Sequence, residues 1–261
     1  MVGHDEQTER YFEENTPVYA LGRYAEIVAF LRADAGPAAS VLDVGCGAGN
    51  VLKLIADNTP IGEVAGLDVS AAYLEQCAAL LRCQTYLGSI LDPDLEAVVG
   101  RRYRYVLLGA VLHHLVGESR PESLAYARRG LLNAWALVET GGGLILSEPT
   151  FRPRWSMSAL FHVQRLVSRV ASGRVSVFGH WNNLGEPVVS YFSHAELVQE
   201  AAGLPGGEIV LDVKEAKSLP VIWRLAGVDE RADSALVIRK GDDTGDLLTG
   251  ASKRLALRRC R

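Results

Sequence analysis

The chain has 261 residues, of which 48% are hydrophobic, 22% charged and 7% aromatic. This composition excludes a disordered chain, and the length suits one large domain or two small ones. Lysine and arginine number 27 against 31 aspartate and glutamate, giving a formal net charge of −4, which argues against a dedicated nucleic-acid binder because such proteins need a basic face.

The cysteines and the first residues of the chain bear on its compartment. Cysteines stand at positions 46, 77, 83 and 260 without a C-x-x-C pair, which predicts free thiols rather than a disulfide framework or a metal cluster. Residues 1–15 are acidic and polar, unlike a secretory signal, and no apolar run approaches the ~18 residues that a membrane span needs. We therefore expect a cytoplasmic protein with no metal site and no membrane partner.

The first half of the chain alternates between helix and strand patterns. Hydrophobic periodicity predicts helices over 22–34, 51–58, 71–82 and 123–139. Buried strands are predicted in segments that begin at residues 40, 63, 83, 103 and 144. Such alternation is typical of an α/β fold with a parallel sheet and helices on both faces, in which all strands end at one ligand-binding edge.

The regular alternation breaks after residue 150. We interpret the aromatic- and arginine-containing stretch that follows as a lid insertion at the ligand edge. Ser193 and Glu196 form the capping-box pattern of a helix over 193–203, and 208–217 and 234–242 predict two last strands. The predicted plan is an N-terminal helical cap (1–35), a core (36–150), the lid insertion (151–192), a C-terminal part of the core (193–242) and a polar tail (243–261).

The most informative motif is LDVGCGAGN (42–50), which follows a buried strand and opens a helix. Its glycines let a ligand approach bare backbone. The dinucleotide fingerprint would need a glycine at position 50, where this chain has Asn50. The Asp43 carboxylate would repel a pyrophosphate but suits a cation. The loop therefore predicts a positively charged nucleoside as ligand.

Asp68 is the second landmark of the predicted site. It ends the next strand, 19 residues after Gly49. A carboxylate at that place can accept hydrogen bonds from both ribose hydroxyls. The alternative is a helix N-cap, but the position after a glycine-rich loop favours the ribose.

With these residues, and with YVLLGAVLHHL (105–115) and LVETGGGLILSEP (137–149), the sequence resembles the class I S-adenosylmethionine-dependent methyltransferases. The resemblance covers about residues 36–150 and, more weakly, the last two strands. It implies a Rossmann-like sheet of seven mostly parallel strands with the last one antiparallel. It also implies S-adenosylmethionine as cofactor and S-adenosylhomocysteine as product.

The resemblance further implies where the cofactor binds. The residues it assigns, counting the N-terminal aromatics and both sides of the glycine loop, are Tyr11, Tyr19, Asp43, Gly45, Cys46, Gly47, Asp68, Val69, Ser89, Ile90, Gly109 and Ala110. Ser89 stands where many members have an acid that faces the adenine amino group. Tyr11 and Tyr19 resemble aromatics that close over the cofactor, although core packing explains them equally well.

Three histidines are the main candidates for a general base, and His194 is a further alternative for which its place at a helix start favours a surface role. His113 and His114 follow the fourth predicted strand, and His180 lies in the predicted lid. Adjacent residues point in different directions, so we expect one of the first two to face the substrate. An imidazole there could deprotonate a hydroxyl as the methyl group transfers, and the resemblance to plant small-molecule O-methyltransferases favours His113. The alternative for each is a packing role.

The sequence therefore predicts methylation of a hydroxyl or amine on a small metabolite, in a biosynthetic, specialised pathway. The lid aromatics suit an aromatic acceptor, and Arg152 and Arg154 suit an anionic group on it, unless they are merely solvated. Methylation of RNA or protein is an alternative, although the acidic balance and the lack of an N-P-P-Y-type motif after the fourth strand oppose nucleic acid. The other alternative is a catalytically silent, cofactor-binding partner protein. The sequence does not predict the oligomeric state.

Overall fold

The fold comes from a computed structural model that describes residues 21–170 and 188–241. Seven strands form one sheet: β1 (Ser40–Val44), β2 (Glu63–Asp68), β3 (Gln84–Leu87), β4 (Tyr103–Gly109), β5 (Val138–Arg152), β6 (Gly207–Ala216) and β7 (Glu230–Lys240). The helices of the described ranges are α1 (Ala25–Asp34), α2 (Asn50–Asn58), α3 (Ala71–Leu81), α4 (Leu95–Val99), α5 (Arg120–Ala136), α6 (Arg154–Val170), α7 (His194–Ala202) and α8 (Val221–Leu225). None of these helices has the length and apolar character to cross a membrane.

The strand order is β3-β2-β1-β4-β5-β7-β6. Strands β1 to β5 pair in parallel, while β7 runs antiparallel to both β5 and β6. This confirms the predicted seven-stranded, mostly parallel sheet with an antiparallel last strand. Because β1 lies between β2 and β4, the glycine loop after β1 sits beside both the end of β2 and the loop after β4.

Helices cover both faces of the sheet because strand residues alternate between the faces. On β4, Val106 and Leu108 belong to a buried cluster with α5 and α7. Tyr105 and Leu107 belong to a second buried cluster with α1, α2 and α3. The sheet is therefore fully covered in its middle, and only its edge is left for a ligand.

The boundaries of α5 and β5 differ from the sequence-based expectation. Ser119 caps α5 by accepting a hydrogen bond from the Glu122 amide, so the helix begins three residues before the predicted start at 123. The glycines at 141–143, which the sequence analysis placed between the helix and a strand beginning at 144, lie inside β5. A Cβ on Gly142 would come within 2.4 Å of the Arg104 carbonyl oxygen, so the strand can approach β4 only with glycine there.

One strand extends well beyond its neighbour at the ligand edge. Gly109, the last residue of β4, pairs with Ser147, but β5 continues to Arg152 while paired to β7. Five more residues of extended chain add about 17 Å. We call residues 148–152 of β5 with residues 230–234 of β7 the ledge. Helix α6 follows the ledge directly, inside the segment predicted as a lid, and its role as a lid stays a prediction.

Candidate functional site

The glycine loop is held against the end of β2 by backbone hydrogen bonds. The amides of Gly45 and Cys46 both donate to the Leu67 carbonyl, at 2.7 and 3.1 Å. The Gly47 amide donates to Oδ2 of Asp68 at 2.9 Å. The loop is therefore fixed on its β2 side before any ligand arrives.

The three loop glycines have positive φ angles of 79°, 51° and 84° at Gly45, Gly47 and Gly49, a conformation that other residues rarely adopt. Their surroundings differ. A Cβ on Gly45 would lie 2.5 Å from Val111, and one on Gly49 would lie 2.7 Å from the Cys77 sulfur, whereas one on Gly47 would meet nothing within 4 Å. Gly47 is thus the glycine that faces open space, as a ligand cradle requires.

Two carboxylates end the two strands beside this loop. Asp68, 8% exposed, accepts the Gly47 amide on Oδ2 and the Ser70 amide on Oδ1, at 2.9 and 3.0 Å. Its oxygens keep further lone pairs for a diol. Burial, followed by the negative charges of Cys77 and Asp68, raises the pKa of Asp43 well above its ordinary value. A cation bound beside Asp43 would offset this effect and favour the ionised carboxylate.

The turn after β3 carries the predicted adenine-facing residues. The Ser89 hydroxyl accepts from the Leu91 amide at 3.2 Å, and the Ser89 amide donates to Asp92 Oδ2 at 3.0 Å. Asp92 thus brings to this turn the acid that Ser89 lacks, a residue that sequence reasoning missed. Ile90 is buried against Gly130 of α5, and Val69 is half-buried after β2.

The end of β4 closes the other side of the glycine loop. Ala110 has a positive φ of 60°, and its amide donates to the Ser147 carbonyl at 2.7 Å. A Cβ on Gly109 would lie 2.7 Å from the hydroxyl oxygen of Tyr24, which is fully buried. The structure therefore places Tyr24, an aromatic residue that the sequence analysis did not assign, against the cofactor side of β4.

A buried polar pair at this edge of the sheet joins His113 to Glu148. Nδ1 of His113 lies 2.7 Å from Oε2 of Glu148, and the Glu148 side chain is fully buried. Oε1 of Glu148 accepts the amides of Val111 and Leu112 at 2.9 and 2.7 Å. With Oε1 occupied by these two amide donors, Oε2 is the acceptor that faces Nδ1 of His113, and Nε2 is the ring nitrogen that lies outside this pair.

The segment before α7 packs against this histidine. The Ser190 amide donates to the His113 carbonyl at 2.9 Å. The Tyr191 ring stacks on His113 with centroids 5.2 Å apart, and the Phe151 ring of the ledge lies tilted against Tyr191 with centroids 4.5 Å apart. Phe151 in turn stacks on Trp223 of α8 at 5.2 Å. A line of aromatic rings therefore leads away from His113 along the ledge.

The remaining residues that the sequence predicted for the site do not form one group. The His114 ring lies 4.0 Å from the His113 ring, in the same short helical turn. Arg152 and Arg154 are exposed and pair with Asp229 and Glu196. His180, Tyr11 and Tyr19 lie outside the described residues. Within residues 21–170 and 188–241, no group of three or more histidine, cysteine or acidic side chains could hold a metal ion.

Three free thiols lie behind the glycine loop, at Cys46, Cys77 and Cys83. The Cys77 and Cys83 sulfurs are 3.9 Å apart. A hydrogen bond from Cys46 outweighs burial and lowers the pKa of Cys77 to about 7. A Cβ on Gly66 would lie 2.6 Å from the Cys46 sulfur. The thiols therefore fill the space between the loop, β2 and α3, and the Cys46 thiol also donates to the Gly47 carbonyl at 3.4 Å.

Comparison with known proteins identifies a domain within this chain. Residues 41–133 match a family model described as a methyltransferase domain. Over 114 residues the chain is 28% identical to the ribosomal RNA small subunit methyltransferase C of Yersinia pestis, an alignment that covers 44% of this chain. The chain spans about a third of the length of the curated relatives it matches, the aligned share of each being 32%.

Two solved structures share the fold over most of the chain. The magnesium protoporphyrin IX methyltransferase of Synechocystis PCC 6803 with bound S-adenosylmethionine has a TM-score of 0.55 and 15% identity, and covers 92% of this chain and 100% of its own. The plantazolicin methyltransferase BamL, in complex with a triazolic desmethylPZN analogue and S-adenosylhomocysteine, has a TM-score of 0.57 and 14% identity, and covers 91% and 90%. At these identities the likeness concerns the fold.

The residues at the edge fit the cofactor that the family uses. Gly47 leaves open space where backbone meets ligand, Asp68 holds a carboxylate for a ribose, and buried Asp43 favours a positive charge nearby. Residues 41–133 of this chain therefore match the methyltransferase domain family, and they include the glycine loop, both acids of the edge and the loop after β4.

Proposed function

We propose that this enzyme methylates a hydroxyl, or else an amine, of a small metabolite, and that His113 is the general base. The observation that carries the proposal is the buried His113–Glu148 pair at 2.7 Å. It lies at the end of β4, next to the strand that carries the glycine loop. Glu148 fixes the tautomer that leaves Nε2 as the proton acceptor.

Each remaining residue of the edge has a role in holding the reactants. When bound, S-adenosylmethionine supplies a methyl group already activated on a sulfonium. The Gly47 backbone and Asp68 would hold the nucleoside, and Asp43 would favour the positive end. Because the donor is activated, the protein contributes mainly alignment and proton removal. His113 Nε2 would take the acceptor's proton as the methyl group moves.

The aromatic line supports a small acceptor with a flat or apolar body. Tyr191 stacks on His113, and Phe151 and Trp223 continue the line along the ledge. Such rings bind apolar faces and leave a few polar groups to set orientation. The complex of BamL with a triazolic desmethylPZN analogue, on a protein of this fold at 14% identity, supports a small-molecule acceptor.

A single labelling experiment tests this proposal against methylation of RNA, which the 28% identity to a ribosomal RNA methyltransferase favours. The protein is incubated with methyl-labelled S-adenosylmethionine and either a low-mass metabolite fraction or ribosomal RNA. We expect label in the low-mass products, with the His113→Ala protein as the matched control. Label that appears only in RNA would establish the second function, and the net charge of −4 is the reason we do not expect it.

A further inference from the structure

We propose that Arg120 and Ser190 form a subsite for a carboxylate on the acceptor, an inference that rests on the proposed small-molecule function and names its substrate class. Arg120 begins α5 and is only 5% exposed. Its Nη2 donates to the Tyr191 carbonyl at 3.1 Å and lies 3.2 Å from Oε2 of Glu196. The guanidinium therefore lies beside the segment that packs on His113.

Two donors in this place lack an acceptor within the described part of the chain. Nη1 of Arg120 and the hydroxyl of Ser190 are buried and make no hydrogen bond there. Ser190 is 3% exposed, and its amide binds the His113 carbonyl. Buried donors are rarely left unpaired, least of all on a charged group. The simplest partner is a ligand that approaches along Tyr191.

The charges of the surrounding cluster select the sign of that ligand. Glu196 pairs with both Arg120 and Arg154, and no other described charged side chain pairs with these three. Burial opposes ionisation of Glu196, but hydrogen bonds from Ser193 and the charge of Arg120 outweigh it and lower the pKa of Glu196. Two cations against one anion leave a net charge of +1.

The net charge of +1 also favours a carboxylate over a phosphate as the ligand. One carboxylate neutralises the cluster, and its two oxygens match the two donor groups, Arg120 Nη1 and the Ser190 hydroxyl. A phosphate monoester carries about two negative charges at neutral pH and would leave the cluster with excess negative charge. The exposed Arg154, although it shares Glu196, offers solvent-screened charge and weak recognition.

Calorimetry on the S-adenosylhomocysteine complex tests the subsite without turnover. The probes are two acid and amide pairs, 4-hydroxybenzoate with 4-hydroxybenzamide and 3-hydroxy-2-naphthoate with its amide, together with 4-hydroxyphenyl phosphate. We expect at least one acid to bind roughly 10–100-fold more tightly than its amide. Arg120→Met should abolish this preference, Ser190→Ala should reduce it, and Arg154→Gln, the control that shares Glu196 and removes only a solvent-exposed charge of the cluster, should reduce it least.

The outcomes separate this inference from the proposed function. If the protein does not bind S-adenosylhomocysteine, the cofactor site itself is wrong. If it binds that product but prefers no acid, or if Arg120→Met keeps the preference, the carboxylate subsite is overturned. Tighter binding of the phosphate overturns the carboxylate assignment. If Arg120→Met does not fold, Ser190→Ala and Arg120→Lys test the subsite instead. If Arg120 and Ser190 are merely structural, the ratio of acid affinity to amide affinity in Ser190→Ala will equal that of the wild type, and this result overturns the subsite.

Discussion

The two halves of the ligand edge are built from different parts of the chain. The half around Gly47, which we propose binds the cofactor and call the cofactor half, is made mostly of backbone amides and carbonyls in a tight loop. The half around His113, which we propose binds the acceptor and call the acceptor half, is made of side chains that come from the end of β4, the ledge and the segment before α7. Substitutions alter binding at a site made of backbone only when they introduce an intruding side chain or remove a carboxylate. At a site made of side chains, substitution of any of the contributing residues alters binding. The acceptor half is therefore where this fold can alter its specificity.

The largest expected effect breaks the acceptor half and leaves the cofactor half intact. His113→Ala should lower turnover by about 10²–10⁴-fold because the proton acceptor is lost. Affinity for S-adenosylhomocysteine, measured by calorimetry, should be unchanged. His114→Ala is the matched control and should lower turnover less. Near-normal turnover of His113→Ala would remove the base role and favour an amine acceptor that loses its proton to solvent.

The converse experiment breaks the cofactor half. Asp68→Ala removes a charged acceptor of ribose hydroxyls and should cost roughly 2–4 kcal/mol of S-adenosylhomocysteine binding. Asp68→Asn keeps one oxygen for the Gly47 amide and should lose less. An unchanged dissociation constant in both variants would show that the ribose lies elsewhere.

Glu148→Gln sharpens the comparison inside the acceptor half. The amide can no longer act as a charged acceptor that fixes the His113 tautomer, so turnover should fall by about 10–100-fold with little change in cofactor affinity. The pH profile of turnover should change as well, because the proposed base loses its charged partner. A purely structural carboxylate would change the melting temperature but not the pH profile.

Two glycine substitutions sharpen the comparison inside the cofactor half. Gly47→Ala places a methyl group in open space, so it should weaken S-adenosylhomocysteine binding about tenfold while costing only about 1 kcal/mol of stability for its left-handed backbone. Gly49→Ala drives a methyl group toward the Cys77 sulfur and should cost about 1–3 kcal/mol more by overpacking. Thermal melts and calorimetry separate the two, and identical behaviour would contradict the assignment of Gly47 to the ligand side.

The smallest effect concerns Asp43 and is a matter of pH. Burial, Cys77 and Asp68 raise the pKa of Asp43 in the folded state. As the pH rises above the unfolded-state pKa of about 3.9, the unfolded chain releases this proton more readily than the folded one, so the folded state loses stability. Asp43→Asn should therefore melt at a higher temperature than the wild type near pH 7, and the gain should fade toward pH 4. Cofactor affinity should fall in the same variant. Equal melting temperatures at both pH values would contradict this.

Sequence patterns were sufficient for the sheet, and they predicted which residues surround the glycine loop, because both signals are local. The loop glycines, Asp43 and Asp68 stand within one strand-loop-helix unit each, and their strand-end positions are readable. Glu148 also follows a buried apolar run, so the same rule could have identified it. Its partner His113, however, is 35 residues away, and only the pairing of β4 with β5 brings the two together.

Other residues carry no readable signal. Arg120 stands in a polar helix start like many arginines, and its burial depends on Tyr191 and Glu196, which lie 71 and 76 residues further along the chain. Asp92 reaches the Ser89 amide through a turn whose geometry the sequence does not specify. The roles predicted for Tyr11, Tyr19 and His180 stay predictions, as does the lid. In each case long-range packing, rather than local propensity, decides where the side chain lies.

The ledge has a consequence for how this protein could be re-engineered. Its backbone amides belong to paired strands, and the Phe151 amide is also bonded to the Phe192 carbonyl, so slow hydrogen exchange is expected along it. Phe151 and Glu148 are thus mounted on a rigid ribbon rather than on a mobile loop. Exchanging side chains along that ribbon would reshape the acceptor wall while its backbone stays fixed, which makes the ledge a natural place for a substitution library.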